Sequence, residues 1–372
     1  MNRIAAVWAV LVFAVAGCVT TPEAVPTPED TPAVTTDTDT DTDPVPVDCT
    51  TACADPNTDP GWALCYACRC KDAMDGWLPS PEELQCGLGE EIVVYTSDDE
   101  GTLTPVTTNV STCANPTLLY GTCSPGGTLG QLVHGTVTVK WICRRNTYER
   151  RAGEDPTLPY DDVGAILYNS RNGASCWFDD MDGTGIADDN WPELDLTSPT
   201  ADPEAWGRYF YNTDGEGCTG CHDNDPFNYT PYLQSVNWVS GDYTSGPFFR
   251  VNIQGRLKPI SGKHLVSPEA AACTQCHRIT SDQTCAVWAP DSVGAYKGGG
   301  YQDVVVGAAG DPADPLWHLG TWMPPNTTTD AAGWEASYGT ARDTILSCCA
   351  NPGVDQAATD TTPACVWEGM AE

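Results

Sequence analysis

Basic residues are scarce in this chain: 17 Lys+Arg stand against 51 Asp+Glu, a formal charge of −34. So negative a field repels phosphate backbones and anionic headgroups. It excludes nucleic acid as a partner and basic-patch adhesion to membranes, and it favours a basic or neutral docking face on any partner. Long apolar runs are also missing. The stretch Ile4–Val15 is too short to cross a bilayer in a mature protein, and no later run approaches that length. No glycine-rich nucleotide loop, Ser-His-Asp arrangement or HExxH stretch suggests hydrolytic or nucleotide chemistry. Methionine and histidine number five each. What the chain has in quantity is 30 Pro, 35 Gly and 19 Cys, which predicts much loop and covalent stapling.

Residues 1–18 place Arg3 before the apolar run and end in Ala16-Gly17-Cys18, the pattern of a secretory signal. The ending Val15-Ala16-Gly17-Cys18 resembles the lipobox of bacterial lipoproteins. That resemblance implies lipidation of Cys18, export, and a membrane anchor of acyl chains. Val19 stands where an inner-membrane retention signal would place Asp, which points to the outer membrane, on its periplasmic side or at the cell surface. Residues 19–48 are mostly Thr, Pro and Asp, including an alternating Thr-Asp run over 36–43. With few and only small apolar side chains to offset ordering entropy, they read as a disordered, self-repelling tether.

Residues 49–150 read as a Cys-rich β domain. Cys49, Cys53, Cys65, Cys68, Cys70 and Cys86 crowd its first part. The CxxCxC cluster at 65–70 has metal-ligand character, but in an oxidising compartment disulfides are the stronger reading. β-Branched or alternating runs at 91–96 and 131–143 predict strands, with Cys113, Cys123 and Cys143 as staples. His134 lies on the second run, as a half-buried strand histidine or a distal metal ligand. Residues 151–205 form an acidic linking segment that contains two short strand patterns, 161–168 and 175–178. Within it, Asp180, Asp182 and Asp188 occupy positions 1, 3 and 9 of a partial calcium loop. Trp191 stands where an EF-hand needs a bidentate Glu.

In 206–372 the pattern C-x-x-C-H occurs twice, at Cys218-Thr-Gly-Cys221-His222 and Cys273-Thr-Gln-Cys276-His277. At this Cys and His content, chance expects roughly 0.013 copies. On a helical turn, residues i, i+3 and i+4 share a side, so two thiols and an imidazole can face one flat ligand. Disulfide or zinc CxxC turns with a coincidental His are the alternative. At these residues the chain resembles multihaem c-type cytochromes. The resemblance implies two covalently attached haems, with Cys218, Cys221, Cys273 and Cys276 as thioether sites and His222 and His277 as proximal iron ligands. Trp322-Met323-Pro324-Pro325 resembles the distal-Met loop of small cytochromes c, which makes Met323 a distal ligand of the second haem. His264 and His318 are the candidates for the first. Setting aside those four thiols and Cys18 leaves 14 Cys, hence up to seven disulfides. A helix start at Ser267-Pro268-Glu269 and a long helix from about Asp330 to Ser347, with Trp334, Tyr338, Ala341 and Ile345 on one face, complete the region.

The expected fold is therefore α+β: a disulfide-rich, loop-rich N-terminal β region followed by a mainly α, loop-rich dihaem cytochrome c-like domain. The expected function is electron transfer by a lipid-anchored dihaem cytochrome, with redox proteins as partners and no substrate chemistry of its own. A peroxidase-like oxidoreductase with one open haem site and a non-redox binding module are the alternatives.

Overall fold

The tightest organisation lies where cysteine is densest. The computed structural model describes residues 48–54, 58–98, 102–115, 123–145, 160, 162–179, 191–194, 203–207, 218–228, 232–233, 236, 246–253, 255–257, 259–260, 262–275, 277–289 and 331–370. Helix α1 (Asp59–Ala73) begins at Thr58, whose hydroxyl accepts the Gly61 N–H at 3.2 Å, with proline in the first turn. Its end is turned by Asp75 and Gly76 at φ 58° and 82°. The inward face of α1 is cysteine rather than leucine. Cys65 bonds Cys53, Cys68 bonds Cys49, and Cys70 reaches across to Cys176. The CxxCxC cluster is thus consumed in three disulfides and is not a metal site.

Strands β1 (Glu90–Glu91), β2 (Tyr95–Ser97), β3 (Leu103–Pro105), β4 (Thr128–His134), β5 (Val137–Arg144), β6 (Asp162–Asn169), β7 (Ala174–Asp179) and β8 (Phe249–Arg250) follow. β2 and β3 pair with each other. The rest form one six-stranded sheet in the order β1-β4-β5-β6-β7-β8, antiparallel except for the parallel β7–β8 pair. β4 and β5 are joined by Gly135-Thr136. Gly135 takes the positive φ of 57° that the first position of such a tight hairpin turn requires. Alternation then sorts the side chains. Val137, Val139, Trp141 and Cys143 of β5, with Val163, Ala165 and Leu167 of β6, face α1 in the largest core. Ile166, Tyr168 and Trp177 face the other way and pack on Phe227, Phe248 and Ile260. The strands expected at 161–168 and 175–178 are β6 and β7, so the acidic segment supplies two central strands of the sheet.

Farther along come α2 (Pro203–Gly207), α3 (Thr219–His222), β9 (Lys263–Leu265), α4 (Ala271–Thr274), α5 (Ala331–Cys349) and β10 (Trp367–Gly369), with β9 and β10 as an antiparallel pair. Ser267-Pro268-Glu269 does start helical structure, a 3-10 turn running into α4. α5 buries Ala341, Ile345 and Cys348, and Cys285–Cys349 and Cys348–Cys365 staple it. With Cys86–Cys143 and Cys113–Cys123 the described residues hold seven disulfides. The fold is α+β and disulfide-rich. A cytochrome c-like domain over 206–372 is not seen among the described residues: β8 joins the N-terminal sheet, and β9 and β10 pair as strands. No helix among the described residues is long and apolar enough to cross a membrane.

Candidate functional site

Both C-x-x-C-H segments fold as the single closed turn that their spacing predicts. The His222 N–H donates to the Cys218 carbonyl at 2.9 Å, and the His277 N–H to the Cys273 carbonyl at 3.0 Å. The residues just after one histidine bond to residues that follow the other. The buried Asp223 carboxylate accepts the Thr280 hydroxyl at 2.5 Å, the Thr284 hydroxyl at 2.5 Å and the Thr284 N–H at 3.1 Å. Asp225 accepts the Arg278 N–H at 3.1 Å. The Arg278 guanidinium donates to the Asn224 carbonyl at 3.3 Å and the Gly246 carbonyl at 3.2 Å, and lies 5.2 Å from the Phe248 ring centre. Charge-assisted bonds in a dry setting are strong, so this network holds the two segments together.

Electrostatics in this layer follow burial. It pushes His222 and His277 each down to about 4, so both imidazoles are neutral at pH 7. The same cause pushes the Cys273 thiol up to about 11 and makes it a protonated packing group rather than a nucleophile. Burial also raises Asp223, opposed by its bonds from Thr280 and Thr284.

The surroundings overturn the haem expectation. The Cys218 side chain packs against the aromatic cluster of Tyr168, Trp177, Phe227 and Phe248. The Trp177 ring tilts over His222 with centroids 6.0 Å apart, and the Arg250 guanidinium sits 5.1 Å from the Trp177 ring centre. Cys273 packs into the cluster of Leu265, Ile345 and Trp367. The apolar side chains around Cys218 and Cys273 pack on one another. Among the described residues no group of three or more His, Cys, Asp and Glu is placed to hold a metal ion, and fourteen cysteines outside the two pentapeptides pair as disulfides. The two c-type haems are corrected accordingly, whereas the partial calcium loop falls on residues outside those described. His264, expected as a distal ligand, sits on β9, paired with Glu368 and bridged to Thr280. Burial, aided by Arg278 and opposed by Glu368, lowers its pKa. The Cys221 and Cys276 side chains lie outside the described residues, as do Met323, His318, Asp180, Asp182, Asp188 and Cys18.

A second feature, marked by no sequence motif, lies beside the β4–β5 hairpin. A recess of about 340 Å³ is lined by Trp77, Leu88, Leu132, Val133, His134 and Trp141, with Glu83 and Gln131 adding polar groups. Trp141 is its floor. The indole is buried, its N–H bonds the Gln85 carbonyl at 3.0 Å, and it occupies the space over Gly130, where a Cβ would stand 2.0 Å from the ring. His134 is neither half-buried nor a ligand among the described groups. It is exposed and stacks on Trp77, with centroids 4.6 Å apart and planes 6° from parallel. The hairpin turn is tied beneath this stack, since the Thr136 hydroxyl donates to Asp75 at 3.0 Å. Val133 and Leu88 are 68% and 60% exposed. The only sequence signal for this surface was the adjacent pair Leu132-Val133, which breaks strict alternation and puts an apolar residue on each side of β4.

No family model matches the chain, and no curated protein or solved structure matches it either. Membership of the c-type cytochromes, inferred from the two pentapeptides, is therefore corrected along with the haems.

Proposed function

We propose that the chain is an exported, lipid-anchored binding module that works on the outside of a membrane and presents the recess beside β4 to a partner. The observation that carries this reading is the cluster of outward-facing apolar groups, Val133 and Leu88, at the mouth of a recess floored by Trp141. Exposed aliphatic side chains at the mouth of a concavity mark interaction sites. Seven disulfides support an oxidising compartment and hold such a surface in shape before it meets a ligand. Cys18 and the acidic stretch 19–48 supply anchor and spacer. Electron transfer was expected on account of the two haems, and nothing in the described site bears on it further.

The test is made in cells that export the full chain. A photoreactive amino acid replaces Val133, and a control carries it at Val354, which is 47% exposed. Light-dependent adducts at position 133 above those at 354 support the reading; equal yields at both positions refute it. Cys18→Ser tests the anchor separately, because it moves the protein from the membrane pellet to the soluble fraction.

A further inference from the structure

We infer that the free edge of β4 takes an extended, cationic polypeptide segment as an added strand; this rests on the reading of the recess as a binding surface. β4 pairs with β5 along its whole length, Thr128 to His134. On its other side β1 covers only Thr128 and Leu129. The Ile92 N–H donates to the Gly127 carbonyl at 2.8 Å. This sets the phase of the strand: residues 127, 129, 131 and 133 turn their N–H and C=O toward the β1 side. Gln131 and Val133 therefore turn their N–H and C=O to the edge beyond Leu129, beside the 3-10 turn Cys86–Leu88 and with no backbone partner among the described residues. Such an edge is a template for another chain, and the usual protections are missing from it: residues 130–134 hold no Pro and no Lys.

The recess supplies side-chain pockets along the same edge. An added strand projects alternate side chains onto the face of Leu132 and Trp141, between the Trp77–His134 stack and Leu88. A sugar ring fits this surface poorly, because it needs an open aromatic face. His134 covers one face of Trp77, and Trp141 is only 3% exposed. Charge selects the kind of peptide. Glu83 lines the recess, Glu90 and Glu91 lie exposed on β1 along the same edge, and the whole chain carries −34. A second copy of this chain, or its own acidic stretch 19–48, is repelled there; a Lys- or Arg-bearing segment is drawn in.

The probe is a labelled decapeptide alternating Lys with Val and Leu, titrated by fluorescence anisotropy against the full, disulfide-intact protein. Three comparisons accompany it: the same peptide N-methylated at alternate amides in each of the two phases, a Glu-for-Lys version, and the Val133→Pro protein. Proline at 133 removes an outward N–H without touching the β5 ladder, so the fold is kept, and far-UV circular dichroism verifies this. The expected result is saturable binding that weakens about tenfold or more with one methylation phase, with the Glu peptide and with Val133→Pro. Peptide-dependent slowing of hydrogen exchange at the Gln131 and Val133 amides accompanies it. Equal binding of parent and both methylated peptides overturns the inference, since side chains or net charge alone then suffice, as does no binding up to millimolar peptide. Adducts at position 133 made only of glycan or lipid leave the binding-module reading standing and overturn this one.

Discussion

Removing the Cys70–Cys176 bridge tests how the recess is held. The bond ties α1 to β7 and spans 106 residues, and the exit of α1 carries Trp77 to its stack on His134. In the chain-entropy model, a loop of about 100 residues restrains the unfolded chain by about 4.7 kcal/mol. Cys86–Cys143 lies inside that loop and short-circuits it. The effective loop is then roughly 50 residues, and the figure falls to about 4 kcal/mol. By the same relation Cys113–Cys123, with a separation of 10, contributes about 2.7 kcal/mol. All four sulfurs belong to buried residues, so the packing loss on replacement by alanine is similar for the two pairs and largely cancels. The Cys70→Ala/Cys176→Ala protein should therefore be less stable than the Cys113→Ala/Cys123→Ala protein by about 1–1.5 kcal/mol. Guanidinium unfolding without reductant measures this, with midpoint and slope both fitted because removing a crosslink changes the unfolded state as well. Equal losses, or a larger loss for the short loop, would refute the reasoning.

Asp223→Ala strands three buried donors and should cost about 2–4 kcal/mol in denaturant unfolding, with Asp223→Asn costing less because it keeps an acceptor. Burial raises the folded-state pKa of Asp223 above 3.8, so its contribution is favourable below the unfolded value and is lost as pH rises through the folded one. The Asn variant should flatten that part of an acid-side stability profile; an unchanged profile speaks against the assignment. Burial lowers Lys140 from 10.5 to about 7, so the unfolded chain holds that proton more tightly, and stability should climb as pH rises from about 7 to about 10. Lys140→Met should abolish that climb and add about 1–3 kcal/mol at neutral pH, net of the ammonium's contact with Phe227 at 4.6 Å. Gly130→Ala places a methyl against Trp141 and should cost about 2–4 kcal/mol while shifting tryptophan emission to the red. A wild-type midpoint would show that the floor of the recess is not fixed.

Much of the scaffold was legible because it is written locally. Alternation marked β5, β6 and β7; the helical repeat of Ala341 and Ile345 marked α5; and an even remainder of 14 cysteines in a chain with an export signal announced the disulfides. The C-x-x-C-H pentapeptides were legible as turns, and both close as the spacing requires. Their use was not. A pentapeptide sets which atoms share a side of a turn, but what that side meets depends on Trp177, Phe248 and Arg278, which arrive from other strands and loops.

By itself the sequence determined the acidity, the strand and helix periods, the two closed turns and the count of thiols to be joined, since each depends on residues a few positions apart. Only the tertiary structure decided which thiols met, how Asp223 and Arg278 lock the turns together, and that β4 is left with an open edge over a tryptophan floor. Those outcomes depend on long-range closure. A strand's edge is free or covered according to how far its neighbour runs, and β1 begins only at Glu90, opposite Leu129.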